Sequence, residues 1–360
     1  MINKHTKENI QHAKNIKNED DIMATWNKKM LTLLKQRRWD TKDWHRALGL
    51  NQWSLEQLLE MDTSELDENS LENLYQDTKL AKLNKKLMRF SSPVMIVSWT
   101  HKGGTGKSTT ATNLAYEFSQ RGYNTLTIDM DSQSDMSSVL YPEYLNDPDV
   151  SFYEAFSLCE DFKEDGYVRH TEYTNLDIIP GSSKCESLEG QLSVMNDKLR
   201  SRIWEKCLKS IRKDNYYDFI IIDMDKTAGI LNLATLAEAD YVLSPIESMI
   251  FAVKAIPPIL AQIEAVKKTN PKLELLGLLY NKVDMRKKKA LAEAMELVEG
   301  IAPGAALENF IKNDANVDNS QREHMPLGVY NRSSAANKQM AEVADEILER
   351  IRQRSEKVVK

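Results

Sequence analysis

The 360-residue sequence predicts an α/β fold: a mostly parallel twisted sheet with helices on both faces, preceded by a small all-α domain over residues 1–90. Three observations lead there. From residue 91 onward, short β-branched runs alternate with helical stretches, the pattern of a parallel sheet covered on both sides. A glycine-rich turn, from Lys102 to Lys107, stands between the first such run and the first helical stretch. Before residue 91 there is no strand-like run, and Gly49 is the only glycine.

Taken in order, the amino-terminal part reads as helices over Asp21–Arg38, Thr41–Leu48, Ser54–Met61 and Asn69–Met88. Thr41 to Glu60 has helix-turn-helix rhythm, with Gly49 at the end of the first helix. If this motif reads DNA, its second helix starts near Gln52 or Trp53 and brings Gln52, Ser54 and Gln57 to base edges of a major groove. Arg37, Arg38, Lys42 and Arg46 would then hold the flanking phosphates. The same rhythm suits a plain dimerisation bundle, with Trp39, Trp44 and Trp53 as its core, so both readings stand.

The composition changes near Phe90-Ser-Ser-Pro93. Predicted strands follow over Val94–Ser98, Thr125–Ile128, Leu176–Ile179, Phe219–Ile222, Tyr241–Ser244 and Leu275–Tyr280. Ligands on such sheets bind beyond the carboxyl ends of the strands. The chain closes with a helix over Ser334–Arg354, whose Met340, Val343, Ala344 and Ile347 share one face.

Composition narrows the function classes. The sequence is 41% hydrophobic and 28% charged, with a polar start that does not read as a secretory signal. No apolar run reaches the length of a membrane span, so no membrane partner is expected. Cys159, Cys185 and Cys207 are odd in number and widely spaced, which fits reduced thiols in a cytoplasmic protein and no cysteine metal site. A net charge of −6 argues against a constitutive polyanion binder. Residues 1–90 nevertheless carry 16 Lys and Arg against 14 Asp and Glu.

The chemistry concentrates after the first strand. His101, Lys102, Gly103, Gly104, Thr105, Gly106, Lys107, Ser108 and Thr109 form a glycine loop between a strand and a helix. Such a loop lets backbone N–H groups crowd around phosphates, and the helix start adds partial positive charge. Lys107 is placed to reach the β- and γ-phosphates of a nucleotide, and the Ser108 hydroxyl to bind Mg²⁺. The strict motif has glycine where His101 stands, so the segment fits the variant Lys-Gly-Gly-x-Gly-Lys-Ser/Thr. The second strand leads into Asp129-Met130-Asp131, two carboxylates one residue apart that are expected to point to opposite sides of the strand and so to have different jobs. Tyr217 to Asp223 is an apolar strand ending in an aspartate, the arrangement in which a strand-tip carboxylate holds the water shell of a metal.

On these residues the chain resembles the ParA/MinD family of deviant-Walker P-loop ATPases, and within it a ParA-type partition ATPase. The resemblance spans roughly Pro93 to Ile351. It rests on Lys102–Thr109, Asp129-x-Asp131-x-Gln133, Asn175–Pro180, Tyr217–Asp223 and Glu274–Asn281. It implies ATP and Mg²⁺ as ligands, slow hydrolysis to ADP and phosphate, and an ATP-gated homodimer stimulated by a centromere-binding ParB-type protein. It implies that Lys102 crosses to the partner's nucleotide, Asp131 positions the attacking water, Asp129 supports the Mg²⁺ shell and Asn281 reads the adenine. It also makes Ile311–Ser320 a loop near the base. The longer ParA class adds an amino-terminal domain that binds operator DNA and represses its own genes. Three departures stand out: Ser132 replaces a proline, Met224-Asp225-Lys226 replaces Thr-Pro-Pro, and Lys312-Asn313 replaces Pro-Arg.

Arg286, Lys287, Lys288 and Lys289 form a basic run opening a helix, suited to phosphates in a salt-dependent way. By the resemblance, Arg286 marks a nonspecific DNA surface in a nucleoid-associated protein. The alternatives are a MinD-like positioning ATPase and a P-loop metabolic enzyme. The carboxyl terminus, Ile351 to Lys360, lacks the bulky apolar anchor of the first.

Overall fold

The computed structural model describes residue 88 and residues 90–146, 149–227, 229–247 and 250–358. The predicted helical domain, with Gln52, Ser54 and Gln57, therefore lies outside the described residues except at its carboxyl-terminal edge. Seven strands form one sheet: β1 Val94–Ser98, β2 Thr125–Asp129, β3 Arg169–His170, β4 Leu176–Ile179, β5 Phe219–Asp223, β6 Tyr241–Glu247 and β7 Glu274–Asn281. Their order is β3-β4-β2-β5-β1-β6-β7, and every described pairing is parallel except β3 with β4.

The helices between strands are α1 Lys107–Gln120, α2 Asp135–Leu140, α3 Phe152–Leu158, α4 Leu188–Ser193, α5 Asp197–Cys207, α6 Lys209–Asp214, α7 Ile230–Leu236 and α8 Ile256–Val266. After β7 come α9 Lys288–Ile301, α10 Ala315–Arg322, α11 Leu327–Tyr330 and α12 Ala335–Val358. Among the described residues, no helix is long and apolar enough to cross a membrane.

The central strands β1, β2 and β5 are buried along their whole length. This is why their sequences run apolar instead of alternating: both faces are covered. Helix α1 sinks Ala111, Leu114, Ala115 and Phe118 into the sheet, each at most 1% exposed. It closes where Tyr123 N donates to Phe118 O and Gly122 N to Ser119 O, which satisfies two of its last carbonyls. Emptying a site such as Leu114 costs about 2–5 kcal/mol, because the buried surface and its contacts go together. On the β7 side, Ile246, Leu278 and Tyr280 pack with Leu291 and Val298 of α9. The outer edge of β7 is covered by the following chain, through bridges from Leu278 to Ala306 and from Val283 to Lys312, so no open edge invites pairing there.

The predicted strands are all present, with some ends moved. β2 and β5 run one residue further and take in Asp129 and Asp223, while β6 extends to Glu247. The two-residue β3 is too short to leave a periodic signal. The closing helix starts at Ala335 and continues to Val358. Most of Ile311–Ser320 is not a loop: Asp314 accepts the Asn316 N–H at 2.9 Å and caps α10, which starts at Ala315. The three cysteines are unpaired with one another, with Cys185 and Cys207 buried.

Candidate functional site

Adjacent parallel strands β1, β5 and β2 bring three strand tips together, with Ser98 and Asp129 each level with Asp223. The glycine loop leaves β1 at this edge and turns into α1. Gly106 stands just before α1 with φ of 90°, a left-handed conformation that L side chains rarely adopt. A Cβ there would also fall 2.2 Å from Asn281 Nδ2. The first α-helical backbone bond of α1 is Thr110 N to Gly106 O, so the preceding N–H groups are without intrahelical acceptors. His101 finds a different use from the glycine it replaces: its ring packs edge-on against Trp99, centroids 4.5 Å apart.

The loop and its surroundings enclose a cavity of about 660 Å³, bordered by Gly103, Gly104, Gly106, Lys107, Ser108 and Thr109 on one side and by Asp131 on another. Behind it lie two buried carboxylates in different settings. Asp129 Oδ2 accepts from Ser137 N at 2.8 Å and Ser137 Oγ at 2.6 Å, and Oδ1 accepts from Asp131 N at 3.2 Å. Its pKa is nonetheless pushed up to about 7, chiefly by burial, with the Asp131 charge adding to the shift. Asp223 is 0% exposed, and neither of its oxygens has a hydrogen-bond partner of standard geometry. Burial first, then the Asp129 charge, raises its pKa well above the carboxylate range; Ser108 and Lys107 lie close enough to offset part of this.

Asp131 sits in a different setting from Asp129, though not because the two point to opposite sides of the strand. Residues two apart on one strand share a face. Here the strand stops at Asp129, and Asp131 opens a turn in which its Oδ1 accepts the Gln133 N–H at 3.0 Å. Its side chain borders the cavity.

Ionising a carboxyl buried this deeply costs several kcal/mol, in order of magnitude, unless a cation joins it. Asp223 beside the Ser108 hydroxyl and the phosphate cradle therefore fits Mg²⁺, an oxygen-seeking ion that keeps waters and takes substrate phosphates. Among the described residues no group of three His, Cys, Asp or Glu is placed to hold a metal ion by itself.

Other predicted residues fall around this centre. Asn281 supports the loop from beneath: its Nδ2 donates to Thr105 O at 2.8 Å, and its Oδ1 accepts from Lys282 N at 2.9 Å. It also borders a small side pocket with Thr109, Asp314, Val317 and Gln321. Lys102 is not among the cavity's lining residues; its ammonium pairs with Glu247 at the end of β6. Arg286, Lys287, Lys288 and Lys289 are exposed at the start of α9, away from the cavity. Arg286 is forked onto Asp284, with both bonds 2.9 Å, and this pairing holds the Asp284 pKa down to about 2.

Sequence reasoning missed several residues at the cavity. Lys282 donates from Nζ to Gly104 O at 2.8 Å, and Gln321 Nε2 donates to Thr109 Oγ1 at 2.6 Å. Lys226, from the departing Met224-Asp225-Lys226 tract, reaches over Gly103 and borders the cavity, whereas Met224 is buried. Glu186 and Glu189 border it as well. Lys282 stands next to Asn281 and Lys226 lies in a tract already marked as a departure; the others gave no signal in the sequence.

Residues 94–275, about half of the chain, match the sequence profile described as an AAA domain. The chromosome partitioning protein ParA of Myxococcus xanthus is 29% identical over 250 residues, covering 69% of this chain and 86% of that protein. The chromosome-partitioning ATPase Soj of Treponema pallidum is 28% identical over 260 residues, covering 72% and 98%. Among solved structures, apo McdA of Cyanothece shares the fold with a TM-score of 0.61 at 20% identity, over 71% of this chain and 99% of that one.

Proposed function

The chain belongs to the AAA domain family as a ParA-type deviant-Walker P-loop ATPase, and from that premise we propose an ATP-gated DNA-partition function. In this reading the protein dimerises on binding ATP and holds DNA nonspecifically in that state. It hydrolyses ATP when stimulated by a centromere-binding, ParB-type partner. Operator binding by residues 1–90, repressing its own genes, and association with the nucleoid in the cytoplasm belong to the same proposal.

The single observation that carries it is Asp223, a fully buried carboxylate close to Ser108 and Lys107 of the glycine loop, with neither oxygen in a hydrogen bond of standard geometry. The loop N–H groups and Lys107 bind the phosphates, and Thr109 with the side pocket faces the nucleoside. Ser108 and Asp223 would hold Mg²⁺, which when bound would neutralise phosphate charge. Asp131 orients the water that attacks the γ-phosphorus, releasing ADP and phosphate. Asp129, through its bonds to Asp131 N and Ser137, sets the position of that turn. Lys102 exchanges Glu247 for the partner's nucleotide on dimerisation.

Sedimentation with ATP, a non-hydrolysable analogue or ADP, with and without duplex DNA, tests the reading. ATP and the analogue should give dimers that retain DNA; ADP should not. Lys107→Ala should lose both, since a desolvated triphosphate loses its main cationic partner. DNA retention that ignores the nucleotide, or ATPase activity raised by a small-molecule substrate and not by DNA, overturns it.

A further inference from the structure

Two carboxylates at the cavity have no role in the scheme above. Glu186 and Glu189 sit on the segment that leaves the carboxyl end of β4, running through the 3-10 turn Ser183–Ser187 into α4. Cys185, Leu188 and Leu192 of this segment are at most 3% exposed in the main core, which gives it a fixed seat. Three residues apart, Glu186 and Glu189 fall on one side of it, the side that borders the cavity.

Each carboxylate holds a different loop. Glu186 Oε1 accepts from Ser132 Oγ at 3.1 Å, next to Asp131. Glu189 caps α7 with both oxygens: Oε2 accepts from Ile230 N at 2.8 Å and Oε1 from Leu231 N at 3.1 Å. These are charge-assisted bonds to N–H groups that a helix start leaves open. Gly229 makes the approach possible, because a Cβ there would meet Glu189 Oε1 at 2.0 Å. Helix α7 in turn holds the turn after β5, where Asn232 Nδ2 donates to Asp225 O at 2.9 Å and Thr227 O at 2.6 Å. At the other end of the segment, Gly181 N donates to Ser137 Oγ at 2.7 Å, and that hydroxyl donates to Asp129. One core-anchored strap thus joins the Asp129–Ser132 turn to the Asp225–Thr227 turn.

We propose that Glu186 and Glu189 are positioning residues that couple these two turns, so that the Asp131 side and the far side of the phosphate cavity shift together. The Ser132 hydroxyl is what completes the strap; a proline at that position has no donor to offer. The kinetic consequence rests on the ATPase reading, whereas the mechanical coupling does not.

Amide hydrogen exchange on the full nucleotide-free chain tests the coupling. Ser132 bonds to Glu186 and not to α7, so a purely local role predicts no change at α7. Coupling predicts that Ser132→Ala raises exchange over residues 230–236 by roughly three- to tenfold, the loss of one hydrogen bond's restraint. Glu189→Gln should do the same directly, and Gly229→Ala should match it by crowding Glu189 away without removing it. In ATP hydrolysis, Glu189→Gln should lower kcat about tenfold with KM within about twofold, since positioning is lost and binding is not. The double variant Ser132→Ala/Glu189→Gln should be no slower than Glu189→Gln alone. Unchanged exchange over 230–236 in Ser132→Ala overturns the proposal, as do fold-losses that multiply in the double variant. If the chain hydrolyses no ATP at all, the ATPase reading fails while the exchange result still decides the coupling.

Discussion

Asp223→Asn separates the electrostatics of the empty cavity from those of the loaded one. In the nucleotide-free chain Asp129 holds its proton up to about pH 7 against an ordinary 3.8, and Asp223 is displaced the same way. A carboxyl whose folded pKa is raised adds stability that is fully present below its unfolded pKa and is lost as pH rises through its folded pKa. For Asp129 alone, the two units between pH 5 and pH 7 amount to about 3 kcal/mol at 1.36 kcal/mol each, an order-of-magnitude figure. Melting should therefore fall by about 6 °C or more between pH 5 and pH 8 at roughly 2–4 °C per kcal/mol. Asp223→Asn removes the second carboxyl whose pKa is raised, so the drop should be smaller in the variant than in the parent. The variant should melt no lower than the parent at pH 8. Mg²⁺ with ATP should flatten the profile of the parent and leave that of the variant unaltered. Thermal unfolding followed by circular dichroism from pH 5 to pH 8, with and without Mg·ATP, reads all of this. An identical pH drop in parent and variant refutes the argument, because Asp223 would then carry none of the buried charge.

Three further outcomes follow from the geometry. Lys102→Ala should change stability by less than about 1 kcal/mol, because its pair with Glu247 is partly exposed, yet sedimentation should show no ATP-dependent dimer; normal dimers would remove the deviant-Walker role. Asp131→Ala should slow hydrolysis by about 10²-fold or more while leaving ATP affinity nearly intact, as for a lost water-orienting group; wild-type turnover would make Asp131 a turn residue only. Replacing Arg286, Lys287, Lys288 and Lys289 by alanine should weaken DNA binding and flatten its salt dependence by about 0.9 per lost phosphate contact. Because Asp284 already holds Arg286, the three lysines should account for most of that loss in gel-shift titrations, and equal affinity at every salt concentration would reduce the run to a solvated helix start.

The phosphate loop, the strand-end aspartates and the six longer strands were legible in the sequence because each is a local pattern. Glycines before Lys107 permit one backbone path, and an apolar run ending in Asp223 marks a buried strand with a charged tip. Periodicity of this kind needs only neighbours along the chain. The order of the strands, and everything that depends on it, was decided by tertiary structure. Lys102 meets Glu247 across 145 residues, Asn281 supports Thr105 across 176, and Gln321 reaches Thr109 across 212. Glu189 looks in sequence like any exposed acid on a short helix and becomes a cap for α7 only because α4 and α7 pack together. Even the difference between Asp129 and Asp131 came from where the strand stops rather than from their spacing. A motif states which groups a site requires; which distant groups complete it depends on the packing that brings them within hydrogen-bond reach, and no local pattern encodes that distance.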